Sequence, residues 1–418
     1  MPRVTFIHTA DIHLDTPFKG LTRIDHVLAR RLKQATFQAF HRVVDYCLAE
    51  PVDFLLIAGD TFDGEDRSLS AQLGFAEELN RLFQADIPVY MVFGNHDPGE
   101  TWLKELSFPA NVRCFGSDQP EAMTFSKKGE VLADIHGISF DSRSGGDNPT
   151  VHFQRKKAPA PFSIGLIHGT IGPPGPHTPY SPFAITDIVE KGFDYWALGH
   201  IHNRRIIREA DPAIAYPGNP QGRDFGESGL KGCFRVTLEI GHKPAITFLP
   251  ACTVRFETIP VDLTGVDTLE RLPEKIEAAV YESGEDLAQV DCIARIILQG
   301  RTPLQAHFKN EDALKELTQW LNESLSPGMP FHIDRIENET LPDIDLDNIA
   351  RGNDFPADVF RVLNTYGENP QAFDGLIRSM AETFASHAIR KQTRPLDETG
   401  CRQIMDLARR QLLDLFFK

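Results

Sequence analysis

Five short apolar runs, each cut off by a polar turn rich in His, Asp or Asn, constrain this chain more than any other feature. The runs cover residues 4–7, 54–58, 89–93, 163–167 and 195–198. They are too short for helices and are bounded by turn formers, which is the pattern of buried strands. Behind them come Asp11-Ile12-His13, Gly59-Asp60, Gly94-Asn95-His96-Asp97, His168-Gly169 and Gly199-His200-Ile201-His202. Apolar residues at helical spacing fill 24–49 and 69–83. Strands alternating with helices predict an α/β layered core. The carboxyl ends of such strands are where open α/β sheets gather functional loops.

Composition narrows the class. Of 418 residues, 41% are hydrophobic and 24% charged, ordinary values for a globular chain of two or three domains. There is no apolar run of about 18 residues to span a membrane, and residues 1–6 lack the apolar stretch of a signal peptide. The expectation is a cytoplasmic protein with no membrane partner. Six cysteines (Cys47, Cys114, Cys233, Cys252, Cys292, Cys401) are scattered without a CxxC pair. That speaks for reduced thiols and against a zinc ribbon or a disulfide framework. A net charge of −16 argues against the chain as a whole gripping a polyanion. A nucleic-acid substrate would need bound metal, a local basic surface or a partner protein.

Texture divides the chain. Residues 1–250 carry every polar cluster. Residues 251–340 read as a β-α-β-α-β unit, with strands at 253–261, 290–298 and 331–336 and helices at 269–282 and 311–325. Residues 341–354 are acidic and broken by Pro and Gly, a linker pattern. Residues 355–418 read as helical, with Ile404, Leu407, Ala408, Gln411, Leu412 and Leu415 in one stripe. The stripe either covers the protein's own core or docks a partner. Residues 172–182, with His177, read as a surface loop.

The clusters suit metal chemistry when taken together; any one alone is a weak signal. In an extended segment, Asp-x-His and His-x-His send both side chains to one side. Two divalent ions about 3.5–4 Å apart need a bridging carboxylate, with imidazole and carbonyl ligands around each. Asp60 is the natural bridge. Asp11, His13 and His202 would complete one site; Asn95, His168 and His200 would complete the other. Mixed nitrogen and oxygen donors suit Mn, Fe or Zn better than Mg alone. Such a pair activates water for in-line attack on phosphorus. His96 is placed to protonate the leaving oxygen or hold the phosphate, with Asp63 and Asp97 orienting the histidines. Arg204, Arg205, Arg208, Arg223 and Lys231 make a candidate phosphate surface, with ordinary solvated charges as the alternative. His8, His136 and His152 are expected to be structural.

These motifs have a family likeness. Asp11-x-His13, Gly59-Asp60-x-x-Asp63, Gly94-Asn95-His96-Asp97 and Gly199-His200-x-His202 resemble the calcineurin-like metallophosphoesterase signature. The opening run 8–14, the run 195–202, and residues 180–183 and 216–222 resemble the SbcD and YhaO-like branch, exonucleases of DNA double-strand-break repair. The likeness covers about residues 4–225. It implies a four-layer α-β-β-α sandwich with a small α+β capping domain and a helical C-terminal segment. It also implies a metal-dependent DNA exo- or endonuclease using two divalent ions, manganese foremost. By the same likeness the enzyme would work with an SMC-like, SbcC-type ATPase on DNA, often as a homodimer. The metal-ligand roles carry over to Asp11, His13, Asp60, Asn95, His168, His200 and His202, and the catalytic role to His96. Some relatives place a second histidine three residues after the bridging aspartate; this chain has Asp63 there. The competing expectations are a phosphodiesterase or phosphatase acting on small molecules or phosphoproteins, and an inactive scaffold subunit of a DNA complex.

Overall fold

The computed structural model describes residues 1–14, 16, 18, 26–63, 68–97, 108–140, 148–172, 181–282, 290–324, 331–343 and 351–368, and single positions 375, 376, 379 and 407. The chain divides into two compact units. The first takes in Met1–Thr258, Glu285–Ala294 and Gly328–Asp334, and the second Ile259–Gly284, Arg295–Pro327 and Arg335–Lys418.

In chain order the first unit contains β1 (Arg3–Thr9), α1 (His26–Ala49), β2 (Phe54–Ala58), α2 (Leu69–Gln84), β3 (Val89–Val92) and β4 (Val112–Cys114). Then come β5 (Glu121–Lys127), β6 (Glu130–Ile138), β7 (Phe162–His168), the short pair β8 (Thr170–Ile171) and β9 (Pro182–Phe183), and α3 (Ile185–Val189). β10 (Tyr195–Gly199), β11 (Arg205–Arg208), β12 (Ala213–Tyr216), β13 (Gly232–Glu239) and β14 (Ala245–Pro250) complete it. Two six-stranded sheets form, in the orders β14-β13-β1-β2-β3-β4 and β11-β12-β10-β7-β6-β5. β1 to β4 run parallel in the first, as do β6, β7, β10 and β12 in the second; β13, β14, β5 and β11 are antiparallel additions.

The central strands β2, β3 and β10 are apolar along their whole length, and β1 and β7 largely so, because both of their faces are covered. One face of each sheet meets the other sheet: Phe6, Phe54, Leu56 and Tyr90 pack with Ile135, Ile164, Leu166 and Tyr195. The opposite residues of the first sheet, Ile7, Leu55, Ile57 and Met91, pack against Phe40 and Val43 of α1 and Phe75 and Leu79 of α2. Beyond the second sheet, Ile167, Trp196, Leu198 and Ile214 pack with Phe153, Ile188 and Phe193. These layers make a mixed α/β, α-β-β-α sandwich, with a thin outer layer on the α3 side. Helix α2 shows how the local sequence builds it. Ser68 caps its start by accepting from the Ala71 amide at 3.1 Å, and Ala71, Phe75, Leu79 and Leu82 fall on one buried face. Each large side chain fully buried there contributes about 1.5–3 kcal/mol, and loss of the cap would cost about 1 kcal/mol.

His8 is fully buried, its Nδ1 2.9 Å from the Tyr195 hydroxyl, and His136 packs against Phe193; both are core histidines. His152 is exposed in a turn. Cys47, Cys114, Cys233, Cys252 and Cys292 are free thiols.

Strands β15 (Val254–Asp262), β16 (Asp291–Gln299) and β18 (Phe331–Asn338) lie in that order in a three-stranded sheet, and each begins in the first unit and ends in the second. The second unit adds α4 (Leu272–Glu282), β17 (Arg301–Thr302), α5 (Glu311–Ser324), β19 (Leu341–Pro342) and α6 (Phe355–Glu368). Leu341 and Pro342, at the start of the segment read as a linker, pair in parallel with Arg301 and Thr302. Residues 344–350 of that linker and residues 173–180, with His177 and Tyr180, lie outside the described residues. So does the stripe from Ile404 to Leu415, except for Leu407, which is helical and 54% exposed. No helix among the described residues is long and apolar enough to cross a membrane.

Candidate metal centre

All five polar clusters follow the carboxyl ends of parallel strands: β1, β2 and β3 in one sheet, β7 and β10 in the other. Backbone bonds stitch the first two loops together. The Asp11 amide donates to Gly59 O and the His13 amide to Asp60 O, both at 3.0 Å. The loops are bent sharply. Asp11 (φ 51°), His13 (φ 46°), Asp60 (φ 50°) and His200 (φ 95°) are four of the eight non-glycine residues of positive φ among the described residues. Left-handed backbone costs an L-residue about 1–2 kcal/mol, and such strain gathers at functional sites where the surroundings over-determine it. Two glycines make the approach possible. A Cβ on Gly94 would collide with the Asp60 carboxylate, and one on Gly199 with the Ala58 carbonyl.

The side chains converge in two halves. Asp11, His13 and His202 form one group, Asp60, His168 and His200 another, with one ligand atom of each residue within 4.8 Å of the rest of its group. Asn95 joins the second, its Oδ1 lying 3.0 Å from His168 Nε2 and 3.1 Å from His200 Nδ1. Asp60 stands between them, its Oδ2 3.3 Å from His168 Nε2 and 3.8 Å from His13 Nε2. Within each half, imidazole nitrogens face one another: His13 and His202 at 3.2 Å, His168 and His200 at 3.3 Å. Neutral imidazoles that close point lone pairs at each other unless a proton or cation lies between them. The donor set therefore fits a pair of divalent cations of the N/O-binding kind. All seven residues expected as ligands from the sequence are brought together, in the two groups expected.

Electrostatics agree with that fit. Burial drives His13 down to about 3 and His200 down to about 4, which leaves both neutral donors at pH 7. Burial also pushes against ionisation of Asp60, but the His168 charge and hydrogen bond outweigh it and hold the carboxyl below its usual range. His168 answers in kind. Burial would lower it, yet Asp60 carries it up to about 9. Its Nδ1 lies 2.9 Å from Ala58 O and donates there, so Nε2 is the atom aimed at the centre.

At the rim, His96 Nδ1 lies 2.9 Å from Asp63 Oδ1, and that hydrogen bond raises the His96 pKa. The His96 amide donates to Asp60 Oδ1 at 2.9 Å, tying the residue to the bridge. Asp63 thus faces a histidine. Asp97 does not: Thr61 N, Phe62 N and Gly94 N donate to its two oxygens at 2.9, 3.1 and 2.9 Å. It clips the loops after β2 and β3 together, because a carboxylate buried beneath two turns meets backbone donors before any imidazole.

The expected basic surface is dispersed. Arg205 is exposed at the start of β11, and Arg204 lies over the Phe248 ring, 3.6 Å from its centroid. Arg208 bonds Ala210 O at 2.8 Å. Lys231 is only 4% exposed, with Nζ 3.1 Å from His202 O, so it is a structural cation and no part of a surface. Arg223 reaches the rim, with Nη2 2.9 Å from Glu227 Oε1 and Nη1 3.9 Å from Asp63 Oδ2. Glu227 escaped the sequence reading. Its Oε1 lies 2.6 Å from His202 Nδ1. The signal available was weak: one of two acidic residues in Asp224-Phe225-Gly226-Glu227, a capped 3-10 turn, with Glu227 25 residues after the histidine.

Comparison with known proteins bears on what this centre does. The calcineurin-like phosphoesterase family matches residues 4–204, and the middle domain of metallophosphoesterase YhaO matches residues 256–341. The chain is 37% identical over 348 residues to the uncharacterized metallophosphoesterase YhaO of Bacillus subtilis, covering 83% of this chain and 84% of that protein. It is 26% identical over 228 residues to the DNA double-strand break repair protein Mre11 of Sulfurisphaera tokodaii, 53% of this chain and 54% of that protein. With the Mre11 protein of Methanopyrus kandleri, 23% identity extends over 324 residues, 68% of this chain and 69% of that one.

Proposed function

The chain belongs to the calcineurin-like metallophosphoesterase family, and from that premise we propose that it is a two-metal phosphodiester hydrolase cutting DNA as the nuclease subunit of a repair complex. The observation that carries the hydrolase reading is the position of Asp60 Oδ2, within 3.3–3.8 Å of an imidazole from each half of the centre. An anion there offsets two adjacent cations. Asp11, His13 and His202 would hold one, and Asn95, His168 and His200 the other, with Asp60 shared; manganese is the cation proposed. When bound, such a pair supplies charge against the phosphoryl oxygens and a water acidic enough to attack near neutral pH.

The chain's own residues do the rest. His96, its pKa raised by the Asp63 hydrogen bond, stands at the rim next to Asn95 and donates a proton to the leaving oxygen. Asp97 holds the Asp60 and Asn95 loops at fixed spacing through three amides. Exposed Arg204 and Arg205 meet backbone phosphates, and Arg223 steadies the carboxylates behind the rim.

The DNA part of the reading leans on the two proteins named for double-strand break repair, one of which aligns well past the phosphoesterase region. A net charge of −16 means that affinity for DNA would have to come from the cations and a partner. An SMC-like ATPase and a second copy of the chain are the partners proposed. The same charge favours a second reading, a small, locally bound phosphodiester as substrate. Turnover of a DNA oligonucleotide and of a cyclic nucleotide, both with Mn(II), separates them. Cleavage of the cyclic nucleotide alone would overturn the nuclease reading.

A further inference from the structure

We propose that Glu227 is a positioning residue that fixes the ring of His202 and so sets the cation affinity of one half of the centre without setting the other. The inference rests on the two-cation reading above and concerns how unequally its halves are supported.

His202 is, with His200, one of the two partly exposed imidazoles of the centre. Its side chain is 25% exposed, against 1% for His13 and 0% for His168. It sits in the turn after β10, less enclosed than His13 or His168, so packing constrains its ring orientation less. A ring turned over about χ2 would put the carbon Cε1 where Nε2 now faces His13 at 3.2 Å. Glu227 removes that choice. Arg223 Nη2 also approaches Nδ1, at 3.0 Å, but the Glu227 Oε1 acceptor is closer at 2.6 Å and keeps the proton on Nδ1 and the lone pair on Nε2, aimed at the centre.

Glu227 is itself held on three sides. Asn219 Nδ2 donates to Oε2 at 2.7 Å, the Arg223 amide to Oε2 at 2.9 Å, and Arg223 Nη2 to Oε1 at 2.9 Å. Its 3-10 turn starts at Asp224, whose carboxylate accepts the Gly226 amide at 2.7 Å. A carboxylate with that much support has one orientation, and it passes that orientation on to the imidazole.

The other half is built differently. His168 Nδ1 donates to a neutral backbone carbonyl, Ala58 O, and the ring is fully buried, so packing and that bond hold it without a carboxylate on Nδ1. An imidazole backed by a carboxylate is the more basic donor, and removing such a partner costs about 10–100-fold in metal affinity. The half containing Asp11, His13 and His202 therefore depends on Glu227, and the half containing Asn95, His168 and His200 does not.

The test is a Mn(II) titration of the full chain by calorimetry, on the parent, Glu227→Gln and Glu227→Ala. Glutamine keeps the shape and an acceptor oxygen but drops the charge, so it guards against simple misfolding. The parent is expected to take two equivalents. Glu227→Ala should keep one at parental affinity and weaken the other by about 10–100-fold, with Glu227→Gln in between. Two equivalents at parental affinity in both variants would overturn the proposal. Equal weakening of both equivalents would also overturn it, by making Glu227 a general scaffold. If the parent fails to bind two, it is the two-cation reading that fails, and this inference with it.

Discussion

Asp97→Asn exchanges one atom of a side chain that is 6% exposed and leaves its shape intact. In the parent, Oδ1 accepts from Thr61 N and Phe62 N, and Oδ2 from Gly94 N. Asparagine can keep its oxygen on the first two amides, but its nitrogen then faces the Gly94 N–H, donor against donor. Two buried donors are left without acceptors, at about 1–3 kcal/mol each. Burial, and then repulsion from Asp60, already disfavour the charge on Asp97, so losing that charge offsets part of the penalty. The net expectation is a destabilisation of about 2–4 kcal/mol. With a urea m-value of about 3 kcal/mol/M, the unfolding midpoint should fall by roughly 1 M. Trp196, buried in the same unit, gives a fluorescence signal for the unfolding of that unit. Because Gly94 precedes Asn95, Mn(II) binding should weaken alongside stability. A midpoint shift worth less than about 0.5 kcal/mol would refute the reasoning, since surface-like substitutions stay within that range.

Three further outcomes are expected. His96→Ala should lose roughly 100- to 10,000-fold in turnover while keeping its metal content; loss of metal together with activity would remove His96 from the proton-donating role. Asp63→Asn takes away the hydrogen bond that raises the His96 pKa. Since a proton donor works below its pKa, the alkaline limb of the rate profile should move to lower pH, and an unmoved limb would contradict the pairing. His168, raised to about 9, carries a proton at pH 7 that a coordinated cation must displace. Mn(II) affinity should therefore climb as pH rises towards 9, with proton release seen as a buffer-dependent binding enthalpy. Equal enthalpies in buffers of different ionisation heat would rule that out.

Much of this molecule can be read along the chain. β2, β3 and β10 stand out because burial on both faces leaves them apolar throughout, and β1 and β7 because they are apolar apart from a few residues such as Thr5, His8 and Ser163. The ligand positions stand out because a carboxylate or imidazole just past such a strand has no packing reason to be there. The antiparallel additions are harder. β5 buries only Phe125 fully, and β14 has no fully buried residue, so neither shows an uninterrupted apolar run. Only the folded chain shows that Asp97 spends its oxygens on amides, that Lys231 is buried beneath His202, and that Glu227 lies against an imidazole 25 residues away. Local sequence specifies strand, turn and strain, because backbone sterics and burial act over a few residues. The spacing between loops comes from how two sheets pack face to face, and no short stretch of sequence contains both sheets.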